Sequence, residues 1–414
     1  LKGLLPEFKF RFSSGTAGVR PAFSQQYETW SVAGGNISKG ALGNKDLKPQ
    51  TTTETEFGVD FSLLDRVSVE LTSSSTLNED QLLPVPLAGF YGYSSQWQNA
   101  GTLEADALEL SVNGYVLNTR DMSLSLGFNY DTYDQQLTSF NMPAYLTSSG
   151  SGQTVFYMKN NTQYASFWGT KWATVAAHLP EADRASISQF ATNSDGYLVW
   201  VGDGNKVTEG ISKTLWGRTS TGLSQTYNWG RPIQFVDSDG NSLHQIGTSV
   251  PDFGYSFNAN FRFQGLSVYA MFDGQSGGNI YNHTRQWGAR EAATGDVDQY
   301  GKSETEMKPT IYYRDLYHVN AANDYYVEDA SYMKLRELSV KYNVSSLVDL
   351  RSVGINGLQV GIVGRNLITW TDYQGYDPEV GYGGGTLGSA VNARVDSYGY
   401  PNYRTFSFTL DVDF

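Results

Sequence analysis

Apolar and polar residues change places at every second position along several stretches of this chain, the period of a strand with one face against an apolar medium. Leu110, Val112 and Val116 interleave with Glu109, Ser111, Asn113 and Tyr115. After a polar turn at Asn118 to Asp121, Met122, Leu124, Leu126, Phe128 and Tyr130 take one face, and Ser123, Ser125, Gly127, Asn129 and Asp131 take the other. Successive side chains of a strand point to opposite sides, so the two runs predict an antiparallel hairpin. Each predicted strand reaches about 10 residues, the length at which a tilted strand crosses the hydrocarbon layer.

The unit recurs. Phe57, Val59, Phe61 and Leu63 alternate with Glu56, Gly58, Asp60 and Ser62, and Asp65-Arg66 turns the chain into Val67, Val69 and Leu71. Tyr255, Phe257, Ala259, Phe261 and Phe263 form another stripe, and Gln264-Gly265 leads to Leu266, Val268, Ala270 and Phe272. Further strands are expected near Phe8 to Phe12, Tyr197 to Val201, Tyr332 to Val344 and Leu358 to Gly364, giving about 12 to 14 in all. Connections come in two lengths. Short turns at Leu64 to Arg66, Asn118 to Asp121 and Gln264-Gly265 contrast with long segments at Asn78 to Thr102, Asp273 to Asp329 and Asn366 to Tyr403. Short turns on one rim and long loops on the other is the asymmetry of an outer-membrane barrel. Residues 1–414 read as one domain, with no helical heptads and no low-complexity linker.

Composition agrees with that architecture. The 414 residues hold 28 Tyr, 21 Phe and 9 Trp but only 17% charged side chains, against about 25% in a soluble domain. Mean hydropathy is -0.39, and no window approaches the roughly 18 apolar residues a membrane-spanning helix needs. A strand-built membrane wall is compatible with both numbers, because its lumen and loops are polar. The net charge of -13 argues against nucleic acid, whose binding needs clustered cations. With no cysteine, disulfides and thiolate metal sites are excluded. Leu1 to Phe10 shows no basic segment leading into an apolar core, so no signal peptide is read there.

The end of the chain is the most informative segment. Phe406, Phe408, Leu410, Val412 and Phe414 alternate with Ser407, Thr409, Asp411 and Asp413, and the chain stops on an aromatic. This is similar to the terminal strand that outer-membrane barrels present to their assembly machinery, where closure removes a free edge. Tyr326-Val-Glu-Asp-Ala-Ser-Tyr-Met-Lys-Leu-Arg-Glu-Leu338, Gly364-Arg-Asn-Leu-Ile-Thr-Trp370, Gly375-Tyr-Asp-Pro-Glu379 and Tyr400-Pro-Asn-Tyr-Arg-Thr-Phe406 resemble late blocks of the SusC/RagA-type TonB-dependent transporters. Upstream, Leu83-Pro-Val-Pro-Leu87, Asn99-Ala-Gly101 with Glu109, and Ile246-Gly-Thr-Ser-Val-Pro-Asp-Phe253 fall in the family's order. The resemblance implies an all-β, antiparallel up-and-down transmembrane barrel, of which this chain supplies the C-terminal strands out of about 22. It also implies a plug domain and a TonB-contacting segment, neither recognisable here.

Catalytic signatures are sparse. His178, His244, His283 and His318 occur singly, without the paired spacing of metal sites. Gly381 to Gly385 has no following Lys-Ser or Lys-Thr, and no Gly-x-Ser-x-Gly elbow occurs. Asp377 and Glu379 are close enough to raise a glycosidase pair, but the family block accounts for them. Asp237-Ser-Asp-Gly-Asn241 has the look of a calcium loop, with Asp237, Asp239 and Asn241 as its oxygen donors, yet lacks the downstream Glu; no metal, cofactor or catalytic residue is assigned. If Phe414 lies at the periplasmic rim, the three long segments face outward. Their aromatics, Tyr91, Tyr93, Trp97, Tyr281, Trp287, Trp370, Tyr373 and Tyr376, are the candidate ligand contacts, with an interfacial girdle as the alternative. By resemblance, the expected function is TonB-driven import of oligosaccharides or peptides with a SusD-like surface lipoprotein. A passive porin and a secreted β-sandwich adhesin are the rival readings.

Overall fold

The computed structural model describes residues 5–148, 154–205, 218–303, 306–318, 321–381 and 394–414. The alternating segments form one antiparallel sheet. Its path runs β1 (Glu7–Val19), β2 (Gln50–Leu63), β3 (Val67–Glu79), β4 (Gly101–Asn118), β5 (Met122–Phe140), β6 (Phe253–Phe263), β7 (Leu266–Ser276), β8 (Tyr332–Asn343), β9 (Gly357–Thr371) and β10 (Thr405–Asp413). Each strand pairs with the next in the chain, so the topology is up-and-down. A short eleventh strand, Thr162–Gln163, pairs beside β5.

Register turns alternation into a surface. Following cross-strand partners gives an unbroken apolar row: Phe8, Phe61, Val69, Val112, Phe128, Phe257, Phe272, Leu335 and Ile368. A second row runs Leu124, Phe261, Val268, Val340, Ile362 and Phe408. These side chains stand outward, as Phe8 (49%), Phe128 (40%) and Phe408 (82%) show by their exposure. A water-soluble fold would bury such rows, whereas a wall in lipid leaves them facing out. The opposite face is polar. There Arg11 of β1 makes a two-pronged contact with Asp60 (2.9 Å) and reaches Glu56 (2.8 Å) and Thr72 (2.9 Å) on β2 and β3. Gly58 makes room for it, because a Cβ there would stand 2.6 Å from the guanidinium carbon.

The rims differ as alternation implied. On one, Leu64 and Asp65 take positive φ (54° and 53°) to turn β2 into β3, and Gln264 (φ 48°) turns β6 into β7. Phe414 follows β10 at this same rim, where Gly357 pairs with Asp413. The long connections leave the other rim.

Four expectations are corrected. Fewer strands build the wall than the 12 to 14 anticipated, because many short strands belong to the loops instead. Tyr197 to Val201 is one such case: Leu198–Trp200 pairs with Phe190–Thr192 in a separate two-stranded sheet. The longest connection, residues 141–252 between β5 and β6, was not among the three long segments foreseen. Finally, Asn366 to Thr371 is still strand, so that loop begins only at residue 372.

The long connections pack on each other. Val155, Phe167, Leu179, Tyr281, Tyr312, Leu316 and Tyr326 are almost wholly buried in one cluster. It draws on residues 141–252 together with the β7–β8 connection, which carries the helices His283–Arg290 and Thr310–Leu316. The apolar core of this protein therefore lies in its outer loops, not inside its sheet.

Candidate functional site

Three of the sequence blocks converge on one ion network at the loop end of β8. Lys334 (1% exposed) donates to Asp377 Oδ1 (2.6 Å) and Glu379 Oε2 (2.6 Å). Arg336 spans Asp273 (2.7 and 2.8 Å) and Glu379 (2.9 and 2.7 Å). Tyr332 Oη donates to Glu379 (3.0 Å), while Asn402 gives its backbone N–H to Asp377 (3.0 Å) and its side-chain amide to Glu379 (2.7 Å). Burial works against the Glu379 charge, but the hydrogen bonds from Arg336 and Lys334 outweigh it and hold the carboxyl at about 2. Asp377 and Glu379 are thus tied into a clamp that fastens the β9–β10 loop to β8.

Beyond the clamp the same loop closes over helix His283–Arg290 and leaves a cavity of about 910 Å³. Its floor is charged, and the arginine in it is paired. Arg285 grips Asp296 with two hydrogen bonds (2.7 and 2.8 Å) and Glu328 with a third (2.9 Å). Burial disfavours that guanidinium charge, and the hydrogen bonds from it to Asp296 more than restore it. Asp396 accepts from Thr284 (2.8 Å) and Tyr373 (2.6 Å). The rim is aromatic: Tyr376 (82% exposed), Tyr398 (59%) and Tyr400 (89%), with Pro401 beside them. Tyr398 is held at φ 60°, a strained conformation for a bulky residue, with its N–H donating to Thr284 Oγ1 (2.7 Å). Exposed rings over a floor whose guanidinium is already paired, and whose Asp396 carboxylate is held by hydroxyl donors, suit a polar ligand that carries no negative charge.

The sequence-derived candidates separate. Tyr376 stands on the cavity rim. Tyr373 is buried beneath it and orients Asp396. Tyr281 is fully buried in the loop core, its hydroxyl donating to Gln286 (2.9 Å). Trp287 is half-buried against the Arg290 guanidinium (4.7 Å). Trp370 lies on the outward face of β9 with Ile368, 6.3 Å from the Phe272 ring, which is where an interfacial girdle sits. Tyr91, Tyr93 and Trp97 lie in a different connection, between β3 and β4, where Tyr91 stacks on Phe90 and Tyr93 sits under the Lys39 ammonium (4.6 Å). Tyr398 and Tyr400 were missed as contacts, although the aromatic run ending in Tyr403 signalled them.

The Asp237 carboxylate accepts from the backbone N–H groups of Asp239 and Asn241 and from the Asn241 amide, the pattern of an Asx turn. Hydrogen bonds with Asn241 lower its pKa. No cluster of three metal-ligating side chains occurs among the described residues. Of the glycine run, residues 382–385 lie outside them. Phe406, Phe408, Leu410 and Val412 line one face of β10, continuing the outward rows, and Phe414 is 87% exposed at the strand end.

Comparison with known proteins matches this arrangement. The family described as "TonB dependent receptor-like, beta-barrel" matches residues 3–205. TonB-dependent receptor P3 of Formosa agariphila is 28% identical over 428 residues, covering 98% of this chain and 39% of the relative. TonB-dependent receptor SusC of Bacteroides thetaiotaomicron is 22% identical, covering 90% of this chain and 32% of the relative. The chain thus spans well under half the length of the curated relatives it matches. Among solved structures, the RagAB peptide transporter superposes with a TM-score of 0.65 at 19% identity, over 99% of this chain and 41% of that one. At that identity the likeness establishes the fold.

Proposed function

We propose that this chain, part of the β-barrel of a SusC/RagA-type TonB-dependent receptor in the outer membrane, forms wall and outer mouth of an importer for oligosaccharides or peptides. The observation that carries the reading is the pairing of an outward apolar face across the sheet with a packed outer loop body, whose tyrosine-rimmed cavity opens beside the mouth-side end of β8 and β9. The sheet supplies a lipid-matched wall, and the loops supply recognition. A SusD-like lipoprotein capping the mouth, and a TonB-driven plug in the full-length protein, complete the proposed machine. The relatives SusC and RagAB support that assignment. The exposed aromatics at the end of β10 fit a role in barrel assembly.

Between the two cargo classes, the cavity fits oligosaccharide better. Tyr376, Tyr398 and Tyr400 offer flat faces for sugar rings, and the exposed Gln374 side chain offers a donor and an acceptor beside them. The test uses the full-length receptor in its native membrane and a neutral gluco-oligosaccharide series beside an oligopeptide series. Binding is expected for the saccharides, and Tyr376→Ala combined with Tyr400→Ala is expected to weaken it about tenfold, since each stacked ring contributes roughly 0.5–1.5 kcal/mol. Uptake is expected to stop when the proton gradient is dissipated. Continued uptake at that point would favour a passive porin, and saccharide binding indifferent to the double substitution would remove the cavity from the mechanism.

A further inference from the structure

The polar face of the sheet, its lumen side in the import reading, has a charge pattern of its own. On β2 to β5 it carries Glu54, Glu56, Asp60, Glu70, Glu109 and Asp131, and none of these four strands contains a lysine or arginine. Lys9 and Arg11 of β1 take up Asp60 and Glu56. Glu54, Glu70, Glu109 and Asp131 make no ion pair among the described residues. Glu109 and Asp131 are direct cross-strand partners, an arrangement of like charges that destabilises a sheet unless a cation comes between them. The cations of the remaining strands lie elsewhere on this face. Lys334 and Arg336 are held in the clamp, Arg365 is paired with Glu337 (2.8 Å), and Arg262 and Lys341 flank Ser267 beside the short β6–β7 turn.

The tyrosine cavity at the mouth carries the same sign. Arg285 is the cation of its lining, and that one guanidinium already faces two carboxylates, Asp296 and Glu328. Asp396 adds a third carboxylate to the floor. It accepts from the hydroxyls of Thr284 (2.8 Å) and Tyr373 (2.6 Å) and makes no ion pair among the described residues. The neighbouring segment 382–393 brings no charged residue in its sequence. Three carboxylates against one guanidinium leave a surplus of negative charge under the rings of Tyr376, Tyr398 and Tyr400. A carboxylate has about four acceptor positions, so two hydroxyls leave Asp396 able to take an N–H donor. Aromatic faces attract cations, and a protonated amine placed between the rings and the floor is drawn by both. A neutral ligand would use the rings alone, and an anion would be repelled.

We propose that the tyrosine cavity selects ligands that present a protonated amine, with Asp396 as the group that recognises the charge. The proposal narrows the cargo of the import reading and rests on it for the role of the cavity and of the acidic wall behind it. Amino sugars and lysine side chains carry the same cation, so the test holds both. The full-length receptor in uncharged detergent is titrated calorimetrically at low salt and about pH 5.5, where amines are protonated. The ligands are the trimer of glucosamine, the trimer of N-acetylglucosamine, trilysine and its fully N-acetylated form. At least one amine ligand is expected to bind about tenfold or more tightly than its acetylated counterpart, the size of one charged hydrogen bond, and which of them does so separates the two sources. That preference is expected to shrink when salt is raised to about 0.5 M. Asp396→Asn is expected to weaken the amine ligand about tenfold, and Tyr376→Ala with Tyr400→Ala to weaken it as well, which places it in this cavity and not on the acidic surface at large. Heat-modifiable mobility checks that each variant is folded, and the preference and its salt dependence are read on the wild-type receptor and need no variant. Binding of neutral saccharides with no preference for amines would overturn this proposal and leave the import reading standing. Binding of trilysine with no binding of any saccharide would do the reverse to the choice of oligosaccharide cargo. The proposal is also overturned if the preference is indifferent to salt, or if folded Asp396→Asn or the folded tyrosine variant binds the amine ligand as wild type does.

Discussion

Asp324 shows how a single carboxyl can report on the packing of the outer loops. Burial raises its pKa to about 6, and hydrogen bonds from the Trp172 backbone N–H (3.2 Å) and the Tyr197 hydroxyl (3.2 Å) recover only part of the lost solvation. A carboxyl raised in the folded state binds its proton more tightly there than in the unfolded chain. Its contribution to stability is therefore fully present below the ordinary aspartate range and is lost as pH rises through about 6. The loop body is expected to be more stable at pH 4.5 than at pH 7.5 by at most about 2 kcal/mol from this group, the undiscounted size of the shift over that range. Thermal melts of the loop tryptophans at the two pH values, compared with Asp324→Asn, measure it. An Asn variant with the same pH dependence as wild type would remove Asp324 as the cause. Lys334 is buried and held by two carboxylates; that pairing was not legible in sequence, where Lys334 lies more than 40 positions before Asp377 and Glu379.

At the scale of the strand, the sequence was legible because period-two alternation is a local property that register then multiplies. Phe128 and Asn129 are adjacent in β5, yet Phe128 extends the outward row through Val112 and Phe257, while Asn129 faces the polar side and donates to Ser256 (3.0 Å). Arginine in the lipid-facing row costs roughly 2–4 kcal/mol near the bilayer midplane, whereas lumen-facing positions tolerate charge. Phe128→Arg is expected to lower the heat-modifiable, membrane-assembled fraction severalfold, and Asn129→Arg, next to Asp131 on its own face, to leave it near wild type. Equal assembly of the two variants would contradict the assignment of faces. Strand ends were less legible. Alternation continues into Trp370 and Thr371 past the apolar stretch, where polar residues look like loop. Of the loop helices and short strands only the strand near Tyr197 to Val201 was legible, because residues such as Phe167 and Tyr281 meet across more than 100 positions with no local period to announce them.

The whole molecule has two ends of different character, and its sidedness can be read without reference to any ligand. Turns such as Leu63 to Val67 leave one rim, while the packed body built from residues 141–252 and the β7–β8 connection stands on the other. In an outer-membrane barrel the short turns face the periplasm and the long loops face the medium. The chain has no cysteine, so a thiol introduced in it is read against the unsubstituted full-length receptor as background. Asp239 lies exposed in the Asx turn of the loop body, and Arg66 lies exposed in the β2–β3 turn at the opposite rim. In the full-length receptor on intact cells, Asp239→Cys is expected to react with a membrane-impermeant maleimide, and Arg66→Cys to react only after the outer membrane is permeabilised. Reversal of that order would invert the topology and move the tyrosine cavity to the periplasmic side. Labelling of both positions in intact cells would take the sheet out of the membrane altogether, because only a bilayer filled by the outward rows of Phe61, Val112 and Phe257 separates the two rims chemically.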